Sequence, residues 1–130
     1  MSKFALVKIK GVKGEITFYK LIINGKCEFD EFIEGLEKKE KENVALSFLT
    51  TLDTLAKLGR PSPKKFKPLK GTKKGDNIKD YEAIYKNYRL YFFDHSYGKI
   101  VAFGGKKKKQ PRDIERLRNL KHEFTNTYQL

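Results

Sequence analysis

The sequence holds one cysteine, Cys27, so no disulfide forms within the chain, and a reducing compartment fits that usage. With only two histidines besides, His95 and His122, it lacks the donors for a zinc site of helical or knuckle spacing. No run approaches the roughly 18 apolar residues that span a bilayer. Lysines interrupt the opening MSKFALVKIK before it reaches signal-peptide length. The expectation is a soluble, cytoplasmic protein with no membrane partner. GGKKKK lacks the spacing and the hydroxyl residue of a P-loop, and no nucleophile elbow supports a Ser-His-Asp arrangement. Asp76, Asp80 and Glu82 match no magnesium motif, and turn aspartates commonly accept local hydrogen bonds instead. No metal and no cofactor is expected.

Acidic residues are scarce in the second half. The 130 residues carry a net charge of +13. Residues 1–60 hold 11 Lys and Arg against 9 Asp and Glu, a net of +2; residues 61–130 hold 18 against 7, a net of +11. Such asymmetry points to a polyanion, because neutralising phosphates releases counterions. A solvated, solubilising surface is the plainer reading of the same charge. The four consecutive lysines 106–109 follow the apolar run IVAF directly, at a cost in mutual repulsion.

Residues 4–9 and 16–23 are rich in β-branched and aromatic side chains, and the pattern predicts two strands, with Asn24-Gly25 as a turn. Phe29, Phe32, Ile33 and Leu36 fall at i, i+3, i+4 and i+7 of an amphipathic helix ended by EKKEKEN. A second helix is expected from an N-cap at Asn43, burying Ala45, Phe48, Leu49, Leu52 and Ala56 and stopping at Gly59 and Pro61. Residues 60–80 form a long Pro-, Gly- and Lys-rich loop. DYEAIYK, YRLYFFD and KIVAF then predict an antiparallel meander, and a helix follows from Pro111 with a narrow stripe of Ile114, Leu117, Lys121 and Phe124. The expected architecture is a single α+β domain over residues 1–130: an antiparallel-rich sheet packed on a two-helix hairpin on one face, plus a C-terminal helix. The opposite sheet face would be open, lined by Arg89, Tyr91 and Phe93.

A basic, metal-free site suits RNA, which carries its own nucleophile, the 2′-OH. Arginine stabilises charge building on a phosphate through two parallel hydrogen bonds, and nearby lysines add to the field. Aromatic rings offer stacking to unpaired bases; of the tyrosines at 81, 85, 88 and 91, only Tyr91 lies on Arg89's side. Against this stands a plain pairing of Arg89 with Glu82 on the neighbouring strand. His95 falls in turn chemistry (DHSYG), and His122 on the surface of the last helix.

EITFYK, NGKCEFDEFIEGL, LGRP with KKFKPLKG, YEAIYKNYRLYFFD, KIVAF with KKKKQ, and PRDIERLRNLKHEF follow one another in an order that resembles the RelE/HigB-like toxins of bacterial type II toxin–antitoxin systems. The phage-derived HigB-like branch is the nearer likeness, over roughly residues 15–127. The resemblance implies a RelE-like fold and a ribosome-dependent mRNA endonuclease, with a cognate antitoxin, mRNA and the ribosome as partners. It gives the phosphate-contacting catalytic role to Arg89, the second basic cluster to Lys107 and Lys108, and the RNA path to Lys67 and Lys70. Lys86, Tyr91, Lys106, Lys109 and Arg112 complete the expected RNA-binding set. The chain departs from the family in residues 1–14, an added strand ahead of the usual start. It also has Ala83 and Ile84 where relatives carry basic residues, and no Tyr or His after the lysine run. A ParE-like gyrase inhibitor and a non-catalytic nucleic-acid-binding module of the same fold are the alternatives.

Overall fold

Phe4–Lys8 (β1) and Phe18–Ile23 (β2) pair antiparallel, with Phe4 opposite Ile23. Asn24 and Gly25 both take positive φ, 50° and 80°, as a two-residue type I′ turn requires, and lead into the short strand β3, Lys26–Cys27. Helices α1 (Glu28–Glu34) and α2 (Lys38–Ala56) follow. Next come β4 (Phe66–Pro68), β5 (Asp80–Tyr85), β6 (Tyr88–His95) and β7 (Gly98–Lys106). A 3-10 turn, Lys107–Lys109, joins β7 to α3 (Gln110–Thr127). The structure, a computed structural model, describes residues 3–71, 78–96 and 98–128. The sheet order is β1-β2-β7-β6-β5-β4, with β3 also beside β2. All pairings are antiparallel except β2 with β7, so the fold is α+β around a mixed, mostly antiparallel sheet.

Alternation along the strands divides the interior in two. Phe18, Ala83, Leu90, Phe92 and Val101 face α1 and α2, where they meet Phe29, Val44, Phe48 and Leu52. Leu21, Tyr91, Phe93, Ile100 and Phe103 face the other way, onto Leu117, Leu120 and Phe124 of α3. Burying one such side chain contributes about 1.5–3 kcal/mol, so both layers hold the sheet. The expected open face does not exist: α3 covers it.

Three local differences have physical causes. EKKEKEN does not end a helix; residues 38–43 are the first turns of α2, with Glu37 rather than Asn43 at the N-cap. Lys and Glu are good helix formers, and Lys41 pairs back to Glu34 at 3.2 Å. α2 closes with Leu58, not Gly59, in the left-handed position at φ 63°; the amides of Leu58 and Gly59 donate to Leu55 O and Thr54 O. The loop of residues 60–80 contains an edge strand, β4, because Phe66 stacks on Tyr81 and Phe92 with ring centroids 5.5 and 6.0 Å apart. Pro68 is tolerated on that edge.

One polar contact fixes α3. Lys121 is fully buried, and its Nζ donates to Asp80 Oδ2 at 3.0 Å and to Ile78 O at 2.7 Å. Arg118 reaches the same carboxylate oxygen at 3.2 Å from a more exposed position and also donates to Lys70 O and Gly71 O. A lysine in the middle of an apolar stripe is thereby matched by an aspartate 41 positions earlier. Removing one partner leaves a buried charge uncompensated. Lys121→Met is expected to lower unfolding stability by about 3–5 kcal/mol in urea titrations. Asp80→Asn added to Lys121→Met is expected to recover part of that loss.

Candidate nucleic-acid interface

The end of β7 is steered by a bulge and two glycines. β6 and β7 pair Tyr91 with Phe103 but Phe92 with Val101, so Ala102 is an extra residue. Strict alternation from Ile100 would send Phe103 toward α1 and α2; the bulge turns it toward α3 instead. Gly104 and Gly105 then pass between two close neighbours. A Cβ on Gly104 would strike the Phe32 ring of α1, and one on Gly105 would strike the Asp113 carboxylate of α3. Gly104 lets the strand pass under the Phe32 ring and Gly105 lets the Asp113 carboxylate lie against it, and the strand then delivers Lys106–Lys109 to the end of the sheet.

The β5–β6 turn meets them there. Lys107 N donates to Asn87 O at 2.8 Å, and Tyr88 lies opposite Lys106 in the ladder. Lys86 sits in this turn at φ 51°, a left-handed backbone that costs a non-glycine residue about 1 kcal/mol. Arg89 holds the turn. Its Nη1 donates to Lys86 O at 2.9 Å and to Tyr88 O at 3.0 Å. Its Nε lies 4.0 Å from Glu82 Oε2, which accepts a 2.6 Å hydrogen bond from Gln110 Nε2. The pairing of Arg89 with Glu82 is therefore present, and it is buried rather than superficial.

Each expected site residue now has a place. Lys86, Lys106, Lys107, Lys108, Lys109 and Arg112 are exposed at one end of the sheet and the first turn of α3. None of them makes an ion pair with an acid among the described residues. Arg89 lies just beneath, 7% exposed, with its guanidinium turned to the protein's own backbone. Tyr91 is fully buried, its ring 5.4 Å from that of Phe103, so it presents no face to a base. Burial raises its phenol above the ordinary value, and the carboxylates of Asp113 and Glu82 add to that. Lys67 and Lys70 are exposed but belong to the far side of α3. Lys67 of β4 lies opposite Glu82 of β5, and β4 is the third strand out from β7, about 14 Å at ordinary strand spacing. Asp76 lies outside the described residues. Asp80 and Glu82 are taken up by Lys121, Arg118 and Gln110, and His95, at the end of β6, packs edge-on against Phe124 at 4.9 Å.

A groove of about 510 Å³ opens beside the lysines. β2 pairs with β7 only as far as Val101, and the chain then diverges through β3 into α1, leaving the β7 edge beyond that point without a strand among the described residues. Phe32 of α1 and Leu36 just after that helix wall one side, and Phe103 and Arg116 the other. Arg116 lies 4.7 Å above the Phe103 ring and is held there by two hydrogen bonds to Glu28, 2.6 and 2.5 Å. Asp113 stands at the floor with no hydrogen bond or ion pair among the described residues. Desolvation raises its carboxyl, opposed by the nearby charges of Lys109 and Arg116. Asp113, Arg116 and the glycine pair carry no sequence motif, and the sequence reading passed over them as site residues.

Set against protein-family models, curated proteins and solved structures, the chain matches none.

The lysines also stand where the fold least favours them. The N-terminal end of a helix carries partial positive charge, which repels cations and attracts anions. Lys107–Lys109 directly precede α3, so the chain concentrates like charge there with Asp113 as the one acid in the first turn of the helix. The variant Lys107→Gln, Lys108→Gln is expected to raise the thermal midpoint by roughly 2–4 °C at low salt. In 0.5 M sodium chloride that gain is expected to disappear, because screening removes the repulsion.

Proposed function

We propose that the chain is a RelE/HigB-like toxin that acts on mRNA at the ribosome, gripping the transcript at the lysine-bearing end of its sheet. The observation that carries this reading is the convergence of Lys86, Lys106–Lys109 and Arg112, six exposed cations with no ion pair among the described residues, around the positive end of α3. A phosphate backbone supplies the complementary charge. The element order after β1 also fits: β2 with the short β3, two helices, the edge strand β4, a three-stranded meander whose last strand β7 lies parallel to β2, and a closing helix. The partners proposed with it are a cognate antitoxin with an acidic surface and the ribosome's own RNA.

In the reaction proposed, the 2′-oxygen attacks the adjacent phosphorus in line and the 5′-oxygen leaves, giving a 2′,3′-cyclic phosphate and a free 5′-hydroxyl. Lys107 and Lys108 stabilise the added charge on the phosphate oxygens and carry protons to or from the reacting oxygens. Arg89 serves as a positioning residue, since it holds the turn that presents Lys86 and meets Lys107. The burial of Arg89 favours a second reading, in which the same end binds RNA without cutting it.

Induced expression followed by primer extension on cellular transcripts tests the proposal. Growth arrest with new transcript ends is expected, both lost in Lys107→Ala, Lys108→Ala while the variant remains folded. Arrest with intact transcripts would indicate binding alone. A DNA-damage response would point to a gyrase-directed toxin, and full toxicity of the double variant would remove the lysines from the mechanism.

A further inference from the structure

We propose that the groove beside Gly104 and Gly105 is a base-binding subsite that takes one unpaired guanine of an RNA strand. The inference rests on the reading that the lysine-bearing end binds RNA, and adds where a base goes and which base it is. Its volume of about 510 Å³ lies within the ~300–1,000 Å³ typical of small-ligand sites and is ample for a single nucleotide. The groove has a polarity. Lys106, Lys108 and Lys109 line one side of it, while α1 contributes Glu28 and Glu31 on the other. A phosphate is drawn to the lysine side and repelled from the α1 side, which turns the attached base inward.

Inside, the walls suit a flat heterocycle. Half-buried Phe32 supplies apolar ring surface, and the Arg116 guanidinium, backed by the buried Phe103 ring, is held by its two bonds to Glu28. Unpaired RNA bases are commonly held on such aromatic and guanidinium planes. The identity of the base follows from Asp113. Its carboxylate lies against the Gly105 backbone at the groove wall and accepts no hydrogen bond among the described residues, which leaves acceptor capacity for donors from the groove. A carboxylate accepts only, and is best met by two parallel N–H groups. Guanine alone offers that pair, N1–H and the N2 amine, side by side on its Watson–Crick edge. Adenine and cytosine set one amine beside a ring-nitrogen acceptor, and uracil sets one N–H between two carbonyl oxygens. Each of these turns a lone pair toward Asp113.

The test uses the full chain and 5′-fluorescein-labelled 2′-O-methyl oligouridine heptamers, which cannot be cut through the 2′-oxygen. The heptamers carry U, G, A or C at the central position, and binding is followed by anisotropy. The guanine heptamer is expected to bind about tenfold tighter than the other three. Asp113→Asn is expected to bring it to the affinity of oligouridine, and Lys106→Ala, Lys108→Ala to weaken all four alike. Equal affinity for the four heptamers in the wild type would overturn the subsite while leaving RNA binding intact. A guanine preference that survives Asp113→Asn would overturn the assignment to Asp113. Failure to bind any heptamer would overturn the RNA reading itself, and the subsite with it.

Discussion

A lysine ammonium buried against an aspartate decides what this surface is able to do. Lys121 and Asp80, both without side-chain exposure, lock α3 across the sheet face opposite α1 and α2. Such a pair adds little net stability compared with apolar residues of the same size, but breaking it is costly, so it specifies one docking geometry. Everything downstream follows from that geometry. Tyr91, Phe93 and Phe103 become interior, Arg89 is buried beside Glu82 with its guanidinium on the backbone of the β5–β6 turn, and recognition is left to the rim. The rim gathers six exposed cations that make no ion pair among the described residues.

Much of this was legible in the sequence. The strands around FYKLII, DYEAIY and YRLYFFD alternate cleanly, and the Asn24-Gly25 turn and the proline-led last helix are local signals with local causes. The covered face was not legible, because α3's stripe is narrow and interrupted at Lys121. Nothing near Lys121 in the chain announces a partner, since Asp80 belongs to another strand. The same holds for Arg89. Its sequence neighbours suggested a free guanidinium, but its hydrogen bonds go to the backbone of the adjacent turn, a consequence of tertiary closure. Residues 38–43 were misassigned for a simpler reason: a polar run with no apolar period still makes good helix when its Lys and Glu residues favour it.

The candidate site was half visible. Composition and the lysine run located the charge, and the meander brought Lys86 beside Lys106–Lys109. Lys67 and Lys70 were placed with them by likeness of segments, and in the fold β5 and β6 lie between β4 and β7. The floor of the groove was invisible, because it depends on one extra residue, Ala102, that reverses the faces of everything after it. That bulge puts Gly105 beneath Asp113 and aims the following lysines outward. Charge at this end is gathered against local preference: a left-handed lysine at 86 and three lysines before a helix N-terminus both lower stability. Proteins tend to retain such unfavourable arrangements where a ligand relieves them.

The central claim is that RNA meets the rim and not the sheet face. Limited acetylation of lysines with and without single-stranded RNA, mapped by mass spectrometry, addresses it directly. The account predicts protection at Lys86 and Lys106–Lys109, with Lys10 and Lys13, at the opposite end of the sheet, as reactive as in the free protein. Protection at Lys10, Lys13, Lys67 or Lys70 while Lys106–Lys109 stay reactive would contradict it.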